Sequence, residues 1–250
     1  MKSFKEFHSL YFNLIQQEQK LKMHVTEKKI LTLLLALPFL FGNWGCAAKK
    51  DMEDKKIVYQ NNKTIPESIL NEAKIALSYY PDLKDVEIEF KFKDDIKKSF
   101  MQAQPNRSNL FKGKDDRTYN IYISSRFLIE KEEFSMADVP SDVLIGWLGH
   151  ELGHIMDYRD KTAMGLIIFG FRYITSDNYI KEAERAADTY AVNSGMGDYI
   201  LATKDFILNH SHLSDTYKER IARLYLSPEE IIVLVNEMEE ELEEAEKEES

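Results

Sequence analysis

The run Gly146-Trp147-Leu148-Gly149-His150-Glu151-Leu152-Gly153-His154 is the segment that most restricts how this 250-residue chain can fold. It contains HExxH, a pattern with chemical meaning only on a helix, where residues four apart lie one above the other on a common face. His150 and His154 can then aim both imidazoles at one cation. Glu151 sits one step round, able to touch a water on that cation without necessarily binding it. Gly146, Gly149 and Gly153 recur at spacings of three and four. Each costs a helix interior about 1 kcal/mol relative to Ala. Three in two turns predict that something comes very close to this backbone, and a local rule broken this way is expected at a functional site.

Pro140, Ser141 and Asp142 supply the start of this helix, with Ser141 as its cap, and it is expected to reach about Tyr158. Upstream, Ile65 to Tyr80 has apolar residues at helical spacing between Pro66 and Pro81. Val86 to Phe92 (VEIEFKF) alternates apolar and charged residues, as a half-buried strand does. Tyr119 to Ser125 (YNIYISS) reads as a second strand, beyond a polar loop from Asn106 to Thr118. After Lys161 the pattern is helical to the end, in segments Asn178 to Ser194, Gly197 to Asn209, Ser214 to Tyr225 and Pro228 to about Glu244. Met164 to Phe171 (MGLIIFGF) is apolar but too short to span a bilayer, and reads as core or as a wall near the site. Strands first and helices afterwards predict an α+β domain with a short antiparallel or mixed sheet and a C-terminal helical subdomain.

Two histidines leave a metal underligated. Glu184, in Glu184-Arg185-Ala186-Ala187-Asp188, is the downstream carboxylate that completes a three-ligand site and leaves a fourth position for water. Asp188 lies four residues on and shares its face, where it can accept a hydrogen bond from the far nitrogen of a ligand histidine. Asp160, ten residues after His150, is a rival third ligand. That is where the metzincin metallopeptidases place their third ligand, but the resemblance fails at position 157, where those enzymes have a Gly to turn the chain sharply back and this sequence has Asp157.

The net charge of −10 is concentrated rather than spread: nine Glu and one Lys between Glu237 and Glu249 supply −8 of it. No basic surface is left to attract nucleic acid. The single cysteine, Cys46, rules out an intramolecular disulfide and a cysteine-based metal site. It follows an apolar run from Ile30 to Phe41, preceded by Lys28 and Lys29, which suits a signal-peptide core. With Gly45 before it, Cys46 resembles the lipidated residue of a bacterial lipoprotein, although Asn43 departs from that pattern; Met23 is a candidate start. The expected organisation is a leader or anchor over residues 1–46, a catalytic-type domain over 47–226 and an acidic helix or tail over 227–250. This places the mature domain in the cell envelope, membrane-anchored or secreted.

HELGH followed by EAERAAD resembles the gluzincin metallopeptidases, most of all the branch of the CAAX prenyl-protein endopeptidases and the minigluzincins, over roughly Tyr119 to Leu224. The resemblance implies a small zincin-like domain with Zn²⁺ held by His150, His154 and Glu184, Glu151 as general base, and Asp188 behind a ligand histidine. It also implies a later histidine before an Arg-Ile segment that helps hold the transition state. Here His212 precedes Arg220-Ile221, with two extra residues of spacing and Leu213 where a Pro is expected; His210 could serve instead. The implied activity is hydrolysis of peptide bonds in proteins or peptides, with an endopeptidase favoured and Tyr119 to Ser125 as the sheet edge that holds the substrate. The competing class is a non-catalytic zinc scaffold or chaperone-like envelope lipoprotein. Glu151 argues against it, because structural zinc takes four protein ligands and needs no base.

Overall fold

The computed structural model describes residues 55–94, 96, 99–125, 127–129, 132–134, 139–209 and 213–248. The leader expected over 1–46 lies outside the described residues. The chain is α+β. A five-stranded mixed sheet, ordered β1-β2-β3-β5-β4, is built from β1 (Lys56–Tyr59), β2 (Lys63–Pro66), β3 (Ile88–Lys93), β4 (Met101–Pro105) and β5 (Tyr119–Ser124). β1–β2 and β4–β5 are antiparallel, while β2–β3 and β3–β5 are parallel. Left-handed backbone at Gln60 and Asn61 closes the first hairpin. A small antiparallel pair, β6 (Phe127–Ile129) and β7 (Glu132–Phe134), follows.

Pro66 ends β2 rather than opening a helix, and after a single 3₁₀ turn the helix α1 runs over Leu70–Ser78. The apolar periodicity is helical, but its first residues are captured by pairing with β1 and β3. β5 is not a sheet edge. It lies between β3 and β4, with five of its six residues buried, as an interior strand covered on both faces must be. The edge on that side is β4, whose Met-Gln-Ala-Gln-Pro sequence carries little strand propensity.

α2 (Ser141–Arg159) carries the HExxH and is the central helix, with fourteen of nineteen residues buried. Ser141 does not cap it. Pro140 occupies that position without a side-chain bond, and the Ser141 hydroxyl donates instead to Glu72 on α1, at 2.9 Å. The glycine stripe does what its cost suggested. A methyl on Gly153 would meet the carbonyl oxygen of Ala187 at 2.4 Å, and one on Gly146 would meet that of Tyr199 at 2.3 Å. Two further helices thus lie directly on α2: α4 (Asp177–Ala191) and α5 (Gly197–Asn209), joined through a π segment over Val192–Met196. Gly195, at φ 89°, supplies the left-handed kink between them.

α3 (Ala163–Thr175) turns Leu166 and Phe169 inward and leaves Met164, Ile167, Ile168, Phe171 and Ile174 exposed. α6 (Asp215–Leu224) starts at a Ser214 cap, and α7 (Pro228–Glu248) carries the acidic run. Among the described residues no helix is long and apolar enough to cross a membrane.

α7 is tied to α4 by a two-pronged ion pair. Arg185 Nη1 and Nη2 donate to the two oxygens of Glu230 at 2.9 and 2.6 Å, and the Ser227 N–H adds a third bond at 2.9 Å. The guanidinium first, then that N–H, hold the Glu230 carboxyl at about 2. A depressed folded-state value stabilises above the unfolded value near 4.5, and the gain is lost as pH falls from there towards 2. Because the carboxylate is 46% exposed, solvent keeps the gain below about 1 kcal/mol. Glu230→Gln is expected to lower the melting temperature slightly at pH 7 and to match the parent at pH 2; an equal difference at both pH values would contradict this.

Candidate metal centre

α2 and α4 cross at Gly153 and Ala187, and the crossing brings the histidine face of one onto the carboxylate face of the other. His150, His154 and Glu184 are all buried, and their ligand atoms lie within 4.8 Å of one another. Glu184 Oε2 stands 3.1 Å from His150 Nε2 and 3.4 Å from His154 Nε2. Two ligands at bonds of about 2.0–2.1 Å in tetrahedral geometry sit about 3.3 Å apart. The donor set and its spacing therefore fit a single metal ion. Asp160 does not join it. It lies at the end of α2, where its side chain accepts from Tyr190 Oη at 2.7 Å and its carbonyl from Lys114 at 3.1 Å.

Each ligand has a different backing. His150 Nδ1 faces Asp188 Oδ1 at 2.8 Å, which leaves Nε2 facing Glu184 Oε2 at 3.1 Å. His154 Nδ1 is buried with no hydrogen-bond partner among the described residues. Tyr173 Oη, on α3, donates to Glu184 Oε1, so Oε2 alone is turned to the imidazoles. Asp188 is fully enclosed, accepting from Lys204 Nζ at 2.8 and 3.1 Å and from the Leu226 N–H at 3.0 Å.

The local field separates the carboxylates. Burial pushes Glu151 upward, the two histidines only partly offset this, and Glu184 adds to it. Burial pushes Glu184 the same way, but His154 and His150 outweigh it and hold it well below the usual carboxylate range. Asp188 is likewise held down against its burial by Lys204 and His150. Burial lowers His150, yet its hydrogen bonds to Asp188 and Glu184 prevail and raise it to about 10. Tyr173 and Tyr225 are raised by burial and by Glu184, so both phenols stay neutral. Glu184 is thus held charged, as a metal ligand would need to be, while Glu151 is biased towards taking a proton. That division suits acid–base chemistry.

The group opens into a cavity of about 630 Å³, walled by β4, by Trp147 on α2, by Leu166 and Phe169 on α3 and by Tyr217 on α6. Bonds from Ser124 N to Phe100 O and from Asn106 N to Thr118 O fix the alternation along β4, so Met101 and Ala103 turn their main-chain groups away from β5. The Ala103 N–H meets Glu151 Oε2 at 2.5 Å, and its carbonyl accepts from Tyr158 Oη at 3.2 Å. The β4 edge of the sheet therefore runs over the HExxH helix and is bonded to it at Glu151 and Tyr158. Arg220, on α6, lines the same cavity. His212 and its substitute His210 lie outside the described residues.

Sequence reasoning misses Lys204, Tyr173 and the edge strand. Lys204 has a readable signal: it falls on the inward stripe of its helix with Ile200, Thr203 and Ile207. A charged residue on an apolar stripe implies a buried partner. Tyr173 has none, because a tyrosine on an apolar helix is ordinary. Compared with protein-family models, curated proteins and solved structures, the chain gives no significant match to any of them.

Proposed function

We propose that this chain is a zinc-dependent peptidase of the gluzincin kind, with His150, His154 and Glu184 as ligands and Glu151 as general base. The observation that carries this reading is the meeting of Glu184 with both imidazoles beside a separate buried carboxylate whose affinity for protons is raised. Two imidazoles and one carboxylate also suit ferrous iron. A second, non-ligating carboxylate at Glu151 is what hydrolysis requires and oxygen chemistry does not.

His150, His154 and Glu184 would hold the zinc, which when bound would supply Lewis-acid polarisation of the scissile carbonyl and acidify the attacking water. Glu151 takes a proton from the attacking water and passes it to the leaving amine. The Ala103 N–H orients its carboxylate for that work. An extended peptide would lie along β4 and pair with the outward main-chain groups of Met101 and the Pro105 carbonyl, because those of Ala103 are already bonded to Glu151 and Tyr158. Arg220 lines the same cavity and is the cationic donor for the developing oxyanion, with His212 as the second donor that the resemblance implies. Residues 1–46 would tether this activity in the cell envelope through Cys46.

The test is metal content together with cleavage. Purified full-length protein is expected to retain one zinc per chain and to cut an unstructured protein such as casein. A chelator should stop the cutting and added zinc restore it, and Glu184→Ala should lose both metal and activity. Zinc-loaded protein that leaves a broad peptide mixture intact would refute the peptidase reading.

A further inference from the structure

We infer that Lys204 is a positioning residue for the metal site, holding Asp188 so that His150 keeps Nε2 turned to the cation. The inference rests on the metal reading above but does not need the protein to be a peptidase. Lys204 sits on α5, its side chain only 5% exposed, and Asp188 is not exposed at all. A buried ion pair is weak evidence for stability, because desolvation cancels much of the attraction. Its geometry shows what else it accomplishes. Lys204 Nζ reaches Oδ1 at 3.1 Å and Oδ2 at 2.8 Å, spanning both oxygens of the carboxylate. The Leu226 N–H pins Oδ2 from the turn before α7, at 3.0 Å. Oδ1 is thereby left facing His150 Nδ1 at 2.8 Å.

The plane of the Asp188 carboxylate is thus set from two elements outside the motif, α5 and the α6–α7 turn. Tyr225, whose ring centroid lies 4.4 Å from Lys204 Nζ, packs 5.4 Å from the His150 ring, so the same ammonium also borders the surface on which that imidazole rests. Take Lys204 away and, among the described residues, Asp188 keeps His150 and the Leu226 N–H. The Leu226 N–H then holds Oδ2 alone, and the contact from α5 that spans both oxygens and sets the carboxylate plane is lost.

Two roles for Lys204 predict opposite signs. If only its charge mattered, a cation this close to a metal site would repel the metal, and removing it would tighten zinc binding. If it positions Asp188, removing it weakens binding, as loss of a hydrogen-bonded partner behind a ligand usually does by roughly 10–100-fold. The experiment measures zinc affinity of the full chain by competition with a chromogenic chelator at fixed pH and ionic strength, with circular dichroism to confirm folding. Lys204→Met is expected to bind zinc roughly 10–100-fold more weakly. Lys204→Gln keeps an N–H donor for Asp188 without the charge and is expected to lie between Lys204→Met and the parent. Should Lys204→Met fail to fold, Lys204→Gln carries the test by itself, with weaker binding than the parent expected. Zinc binding by either folded variant that equals or exceeds the parent's would overturn the positioning role while leaving the metal site standing. A parent protein that takes up no zinc would overturn the metal reading, and this inference with it.

Discussion

Glu151→Gln is expected to lower peptide hydrolysis by roughly 10²- to 10⁴-fold, the usual contribution of a positioned general base, while zinc stoichiometry and thermal stability stay at the parent level. The separation is the informative part. Glu151 is not one of the three groups that converge on the metal position, so its loss should leave the metal in place. The replacement amide still offers an oxygen to the Ala103 N–H, so the contact between β4 and α2 survives. What disappears is the capacity to accept a proton. Metal content by mass spectrometry and initial rates on a quenched peptide check the two halves independently. Full activity in the variant would remove Glu151 from the mechanism, and loss of zinc would mean that it serves the metal.

Gly153→Ala is expected to destabilise the protein by about 3 kcal/mol, at the upper end of what overpacking costs, and to weaken zinc binding as well. Helix propensity alone predicts the reverse, a gain of about 1 kcal/mol, so the sign of the change decides between local and tertiary control. The added methyl would lie 2.4 Å from the Ala187 carbonyl oxygen and 3.1 Å from its carbon. Both are backbone atoms of α4, which cannot step aside as a side chain can. Relief requires α4 to move off α2, and α4 carries Glu184. Gly149→Ala is the control. Its methyl would meet the thioether of Met196 at 2.5 Å, but that is an unbranched, flexible side chain rather than backbone and can shift at lower cost. Urea unfolding of the two variants should rank Gly153→Ala well below Gly149→Ala; equal midpoints would show that the close approach has no energetic weight.

The local part of the site is legible in the order of residues. A helix places i and i+4 residues on one face, so HExxH and the Glu184–Asp188 pair each announce a face. The glycines at 146, 149 and 153 announce that the first face is closely approached. The α+β class follows from strands preceding helices. The strands themselves are harder. β1 and β2 are four residues each, and β4 is a polar run with Ala103 at its centre. None carries enough apolar alternation to stand out. Their identity depends on partners far along the chain, in an order that departs from chain order. Hence the residue pattern points to β5 as the edge when β4 is, and to Pro66 as a helix start when it ends a strand.

Sequence by itself determined which side chains share a helical face, because that follows from the fixed geometry of one turn. It could not determine which faces meet, which strand borders the cavity, or that Lys204 backs Asp188. Those relations depend on hydrogen bonds and packing between segments far apart in the chain, and only the folded arrangement of α2, α4, α5 and β4 supplies them.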